Sequence, residues 1–190
     1  MTSISLHSLL AQVAPALSHS LPDVPVKSIT SDSRQVQAGS IFVALRGERV
    51  NGHQFLPQAL DAGAALILAE PGVLTEIPER VFETSDTRLL WATIASVLYG
   101  QHSTELRKHV VGVTGTNGKT TCTHLLEAVL QQAQWSPGII GTVAYRVGDQ
   151  TLPAPFTTPT PTLLWETLGQ LQELGADSLL MEVSSHALAL

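Results

Sequence analysis

The chain has 190 residues, 44% hydrophobic and 14% charged, with a net charge of −6. This composition excludes a disordered chain and leaves room for one large or two small domains. The acidic balance gives no general attraction for nucleic acid or an anionic membrane surface, so neither is expected as a partner, although a local basic pocket for phosphate remains compatible with it. The single cysteine, Cys122, forbids an intrachain disulfide and fits a reducing compartment. Between Met1 and Leu21, the residues Leu6, Leu9, Leu10 and Val13 fall at helical spacing. That segment lacks the basic start and continuous apolar core of a signal peptide. No apolar run approaches the roughly 18 residues of a membrane span. A cytoplasmic location is the expectation.

Two blocks follow from the pattern. The first, residues 1–102, opens with the short amphipathic helix just described. A strand is predicted at Val26–Thr30, ahead of the polar turn Ser31-Asp32-Ser33-Arg34. Ser40–Arg46 alternates as a strand does, and His53–Ala62 reads as a helix with Pro57 tolerated in its first turn. Ala65–Ala69 is a short apolar run suited to a buried strand, and Arg80–Thr84 suits another. Asp86 can cap a helix over Thr87–Tyr99 that Gly100 ends. The polar stretch Gln101–Lys108 is the candidate linker.

The second block, residues 108–190, starts with a buried strand at His109–Thr114. A glycine-rich turn leads into a helix near Lys119–Ala133. Gly138–Gly141 reads as a strand, Val143–Leu152 as a hairpin turning near Gly148-Asp149, and Phe156–Thr162 as a loop. A helix is expected from Pro161 or Thr162 to Leu174, with Gly175 as its stop, then an apolar strand at Ser178–Val183. Alternating strands and helices imply parallel strands joined by right-handed crossovers. The expected fold class is α/β: a small mixed α/β N-terminal domain followed by an incomplete P-loop parallel-sheet domain. With about three parallel strands, against an average sheet of about five or six, an open edge is expected.

The strongest chemical signal is Val110-Val111-Gly112-Val113-Thr114-Gly115-Thr116-Asn117-Gly118-Lys119-Thr120-Thr121. Glycines let backbone amides approach a phosphate, and a helix N-terminus adds partial positive charge. Lys119 can reach the outer phosphates and Thr120 can ligate Mg²⁺. The usual pattern places a glycine five positions before Gly118, where Val113 stands; the glycines fall at 112, 115 and 118 instead. Without a ligand, the same segment would be a plain β–α turn.

A second signal is Met181-Glu182-Val183-Ser184-Ser185-His186, at the C-terminal end of a strand where open α/β sheets bind ligands. Glu182 either holds Mg²⁺ or caps the next helix; Ser184 and Ser185 are either substrate donors or N-caps. His186 is either a proton carrier or structural. The Phe156-Thr157-Thr158-Pro159-Thr160-Pro161 loop presents two hydroxyls, but Pro-Thr also simply begins helices.

Together, Gly112–Thr121, Thr157-Thr158-Pro159 and Glu182-Val183-Ser184-Ser185-His186-Ala187-Leu188 resemble the Mur ligase family. The displaced glycine spacing is the one that family uses. Asp32-Ser33-Arg34, Gly39 with Ile41–Leu45, and the stretch from Gly52-His53 to Gly63-Ala64 resemble its N-terminal substrate domain. The likeness is strongest to members that add the third peptide residue to UDP-N-acetylmuramoyl-L-alanyl-D-glutamate in peptidoglycan synthesis. It implies ATP and Mg²⁺ as cofactors, the UDP-muramoyl-dipeptide as substrate, diaminopimelate as the added residue and a monomeric complete enzyme. It implies phosphate contacts from Gly115, Thr116, Asn117, Gly118, Lys119, Thr120 and Thr121, with Lys119 catalytic. Thr120 and Glu182 would hold the metal. Ser31 and Ser33, with the loop Glu48-Arg49-Val50, would meet the uridine end, and Thr157, Thr158 and Ser184 the muramoyl-peptide. The implied chemistry is carboxylate attack on the γ-phosphate, followed by amine displacement of phosphate.

Two positions depart from the pattern: Asn51 where Asp commonly precedes Gly-His, and Phe156 where Asn often precedes Thr-Thr. The family also carries an amine-binding C-terminal domain and later ATP contacts that have no counterpart in these residues. The 190-residue chain alone is therefore expected not to be a competent ligase. A module that binds a UDP-sugar or nucleotide without catalysis, and a related P-loop ligase such as the D-Ala-D-Ala-adding Mur ligase, are the competing readings.

Overall fold

The computed structural model describes residues 3–15, 21–47, 50–72, 78–103 and 105–189. The chain divides into two compact units, Met1–Leu98 and Tyr99–Leu190, each described by itself below.

The first unit opens with β1 (Ile4–Ser5) and α1 (Leu6–Val13); β1 pairs antiparallel with β2 (Pro25–Val26). The Ser5 side chain accepts the Ser8 amide and so caps α1. Leu6, Leu9 and Leu10 are fully buried, as their spacing predicts. The strand expected at Val26–Thr30 divides into β2 and β3 (Ser28–Thr30), which belong to different sheets. A four-stranded parallel sheet follows in the order β3, β4 (Ser40–Ala44), β5 (Leu66–Ala69) and β6 (Val81–Glu83). Every residue of β4 and β5 is buried, which explains their continuous apolar runs.

The helix expected over His53–Ala62 is a 3₁₀ turn, Gly52–Phe55, running into α2 (Leu56–Asp61). The turn stays tight because Asn51 Oδ1 accepts the His53 amide at 3.1 Å. Pro57 sits in the first turn of α2, where its missing N–H has no partner to lose. The helix α3 spans Thr87–Tyr99.

The second unit contains the residues expected to be a linker. Gln101–Lys108 instead forms most of two 3₁₀ turns, Gly100–Ser103 and Leu106–Lys108. Leu106 is fully buried and lies in one core cluster with Ile140, Tyr145, Leu168, Leu171 and Leu179. Ser103 is also fully buried and the Glu105 amide donates to Gln172 Oε1 at 3.2 Å, and the divide between the units falls at Leu98–Tyr99.

The sheet of this unit has the order β10 (Gln150–Leu152), β9 (Tyr145–Val147), β8 (Pro137–Ile140), β11 (Ser178–Val183), β7 (Val110–Thr114). The strands β7, β8 and β11 are mutually parallel, and β9–β10 is the expected antiparallel hairpin. Against expectation, β7 is not buried: it is the edge strand, and Val110 and Val111 are 51% and 42% exposed. The helix α4 (Lys119–Gln132) follows β7, α5 (Pro161–Glu173) precedes β11, and the short α6 (Ser185–Ala189) follows it. Among the described residues, no helix is long and apolar enough to cross a membrane.

Truncating a packed side chain separates core from linker. Leu106→Ala is expected to destabilise the second unit by about 2–5 kcal/mol in urea unfolding. A change below about 0.5 kcal/mol, the usual surface value, would return residues 101–108 to the status of a linker.

Candidate functional site

After Thr114 the chain leaves the sheet through a turn whose conformation only glycine adopts readily. Gly115 has φ 144 and Gly118 has φ 80. A Cβ at Gly118 would meet nothing within 4 Å, so backbone handedness, not space, calls for glycine there. Gly118 is the N-cap of α4 and lies in the left-handed region. Gly115, Thr116, Asn117 and Gly118 are all exposed, so their amides are open to a ligand at the positive end of the helix. Lys119 is half-buried and its Nζ donates to the Gly115 carbonyl at 2.8 Å, bridging the turn from helix back to loop. Thr120 is half-buried beside it and Thr121 is exposed.

The neighbouring strand supplies the carboxylate. In the parallel register of β11 with β7, Glu182 stands opposite Val113 and Val183 opposite Thr114. Glu182 therefore reaches the same sheet edge as the glycine turn. Its side chain is buried, with 2% exposure. Oε2 accepts the Thr142 hydroxyl at 2.9 Å and Oε1 the Thr142 amide at 3.4 Å. Gly141 leaves the space: a Cβ there would lie 2.5 Å from Oε1. The Thr142 hydroxyl also lies 3.2 Å from that of Thr157. The Thr158 hydroxyl donates to the Glu182 carbonyl at 3.0 Å and accepts the Ser184 amide at 2.9 Å. Ser184 Oγ accepts the Ala187 amide at 3.2 Å.

The structure thus gathers Glu182, Thr157, Thr158 and Ser184, but not as four free ligands. Thr158 and Ser184 tie the loop to the β11–α6 turn, and Ser184 serves as the cap that its spacing allowed. Thr142 was not anticipated, although it follows the C-terminal end of β8 just as Glu182 ends β11; the same edge rule would have found it. One buried carboxylate among hydroxyls, beside open amides, suits a hard cation that takes its other ligands from phosphate and water. Among the described residues no group of three or more His, Cys, Asp or Glu could hold a metal independently. An open groove of about 480 Å³, lined in part by Glu105, His109, Trp135, Gln172 and Asp177, lies at the other end of the strands. Its lining residues precede the strands, so it is not part of this constellation.

In the first unit, the turn after β3 is held by its own side chains. Asp32 accepts the Arg34 amide at 3.0 Å and pairs with its guanidinium at 2.9 and 2.7 Å. The Arg34 hydrogen bond holds the Asp32 carboxyl below its usual range. Ser31 is exposed and Ser33 buried. Val50 is 50% exposed on a loop closed by the Gly47 amide on the Val50 carbonyl at 3.1 Å; Glu48 and Arg49 lie outside the described residues. Behind that loop, His53 is 5% exposed. Its Nδ1 lies 2.7 Å from Asn51 Oδ1, and its Nε2 accepts the Glu70 amide at 3.1 Å. A neutral ring protonated on Nδ1 satisfies both contacts. Burial lowers its pKa from the ordinary 6.5, against the pull of Glu70.

Residues 113–190 match the Mur ligase middle domain, and residues 25–99 match the model described as Mur ligase family, catalytic domain. The chain belongs to the Mur ligase family. It is 40% identical over 185 residues to the UDP-N-acetylmuramoyl-L-alanyl-D-glutamate–2,6-diaminopimelate ligase of Geobacillus thermodenitrificans, covering 97% of this chain and 37% of that one. The Aquifex aeolicus ligase of the same name is 41% identical over 163 residues, covering 86% of this chain and 33% of its own. The chain thus spans little more than a third of the length of these relatives.

A solved structure of a ligase with that name superposes over 99% of this chain and 37% of its own, with TM-score 0.75 and 24% identity, which speaks for the fold alone. The MurF ligase of Thermotoga maritima in complex with ADP superposes over 84% of this chain and 32% of its own, with TM-score 0.52 and 27% identity.

The Asn51–His53 contact has a pH signature. Because the folded pKa of His53 lies below 6.5, the folded chain resists protonation that the unfolded chain accepts. Stability contributed here is full above pH 6.5 and declines as pH falls from 6.5 toward the folded value. Asn51→Asp places a carboxylate on Nδ1 and is expected to raise the His53 pKa, read by NMR titration of the ring protons. An unmoved or lowered value would show that Asn51 does not set the charge of His53.

Proposed function

We propose that this chain carries the substrate-recognition and phosphate-binding portion of an ATP-dependent ligase. That ligase adds a third residue, diaminopimelate, to UDP-N-acetylmuramoyl-L-alanyl-D-glutamate in peptidoglycan synthesis. The observation that carries the reading is the Gly115–Thr121 turn, open at a helix N-terminus, with Lys119 folded over it and the Glu182 carboxylate on the adjacent strand. The names of the relatives supply the substrate.

In this reading the exposed amides of residues 115–118 wrap the nucleotide phosphates. Lys119 exchanges its bond to the Gly115 carbonyl for one to a phosphate oxygen and stabilises charge on the transferring group. Thr120 and Glu182 would hold Mg²⁺, which neutralises phosphate charge when bound. Thr142 aims the Glu182 carboxylate by donating to both of its oxygens. Thr157 presents its hydroxyl to the muramoyl-peptide, while Thr158 and Ser184 fix the loop that carries it. The Ser31–Ser33 turn and the loop around Val50, with Glu48 and Arg49, take the uridine end. The complete enzyme acts in the cytoplasm as a monomer.

Lys119→Ala tests this directly. The chain is expected to keep its far-ultraviolet circular dichroism and lose MgATP binding by at least about 10²-fold in calorimetry, since both a charge-assisted bond and loop closure are removed. In the full-length ligase the same change abolishes turnover. Unchanged affinity or normal turnover would defeat the assignment.

A further inference from the structure

The helix that bears Lys119 and Thr120 packs in an unusual way. Leu125, Leu126 and Val129 of α4 are 64%, 36% and 64% exposed, so much of its apolar surface faces outward. Its two buried side chains are Thr123 and Glu127. The Thr123 hydroxyl donates to the Lys119 carbonyl at 3.0 Å, within the helix itself. Glu127, by contrast, reaches across from α4 to the sheet. Both of its oxygens accept from Arg146, at 2.5 Å from Nη1 and 2.5 Å from Nη2. The two side chains are 7% and 19% exposed. Nη1 also donates to the Gly148 carbonyl at 3.2 Å, which anchors the guanidinium to the hairpin turn.

Arg146 is the middle residue of β9, and Tyr145 precedes it. Successive side chains of a strand point to opposite faces. Tyr145 is fully buried in the core cluster with Leu168 and Leu171 of α5, and its hydroxyl donates to the Phe156 carbonyl at 2.5 Å. That bond holds the loop carrying Thr157 and Thr158. One strand therefore grips the phosphate helix on one face of the sheet and the threonine loop on the other.

We infer that Arg146, acting through Glu127, is a positioning residue that sets α4, and with it Lys119 and Thr120, against the Glu182–Thr142–Thr157 cluster. The inference rests on the proposed phosphate site and adds to it what fixes its geometry. A two-pronged guanidinium–carboxylate pair fixes distance and rotation together, which a greasy contact does not. Leu125 and Val129, at 64% exposure each, face away from the sheet and do not share in that fixing.

The test separates geometry from stability. Replacing a buried ion pair by apolar residues of similar volume often preserves or raises stability. The double variant Glu127→Met with Arg146→Met is therefore expected to melt at or above the wild-type temperature. It is expected to bind MgATP at least about tenfold more weakly in calorimetry well below that temperature. A folded double variant with affinity within about twofold of wild type overturns the inference. Should the double variant fail to fold, Arg146→Lys decides: it keeps the charge beside Glu127 but loses the second prong, and binding at least about threefold weaker is expected. Unchanged affinity in that variant overturns the inference equally. Absence of MgATP binding by the wild-type chain would instead bring down the phosphate-site reading, and this one with it.

Discussion

Parallel pairing of β11 with β7 on one side and β8 on the other fixes where every group of the candidate site can stand. The register sets Met181 beside both Gly112 and Ile140. The three strands therefore end nearly level, and whatever follows each end arrives at one edge. The glycine turn follows β7, Gly141-Thr142 follows β8, and Glu182 with Ser184 closes β11. A one-residue slip of β11 would turn Glu182 to the other face of the sheet and separate it from Thr142. The carboxylate is buried, and a buried charge without donors is costly by several kcal/mol. Correct pairing and the site are thus the same requirement: the register that satisfies Glu182 is the register that assembles the edge.

The helix beside this sheet shows a tension between folding and site geometry. An amphipathic helix ordinarily turns its apolar stripe inward, and α5 does so with Leu168 and Leu171. In α4 the inward side chains are Thr123 and Glu127 while Leu125 and Val129 face out. Burying the Glu127–Arg146 pair gains little net stability, because desolvation offsets most of the attraction. Its value is in orientation. The same helix and the edge strand β7 leave Val110, Val111, Leu125, Leu126 and Val129 accessible.

Most of this fold was legible because its signals are local. Strand β11 and helix α5 were bounded nearly to the residue by an apolar run, Pro161 and Gly175. The glycine turn at the start of α4 and the place of Glu182 at the end of β11 were legible because glycine conformation and strand length are local properties. What escaped the sequence depended on partners distant along the chain. The status of β7 as an edge depends on which strands flank it, and its apolar residues read the same in either place. The folding of residues 101–108 depends on Leu106 finding Tyr145 and Leu171. Nothing local in the sequence couples Glu127 to Arg146, which meet only where a hairpin packs against a helix.

The geometry of Lys119 bears on how such a loop awaits an anion. An ammonium group left free in solvent would have to be collected and ordered when the phosphate arrived, at a cost in side-chain entropy. Here it already spans the turn, donating to a neutral carbonyl at 2.8 Å. Exchanging that acceptor for a charged phosphate oxygen strengthens the hydrogen bond and demands little movement, because the carbonyl belongs to the loop that the phosphate would enter. The left-handed Gly118 and the extended turn at Gly115 hold the amides open in the same arrangement. In the proposed function, this pre-ordering of charge, amides and carboxylate at one sheet edge is what would separate the turn from a glycine-rich connection that merely joins a strand to a helix.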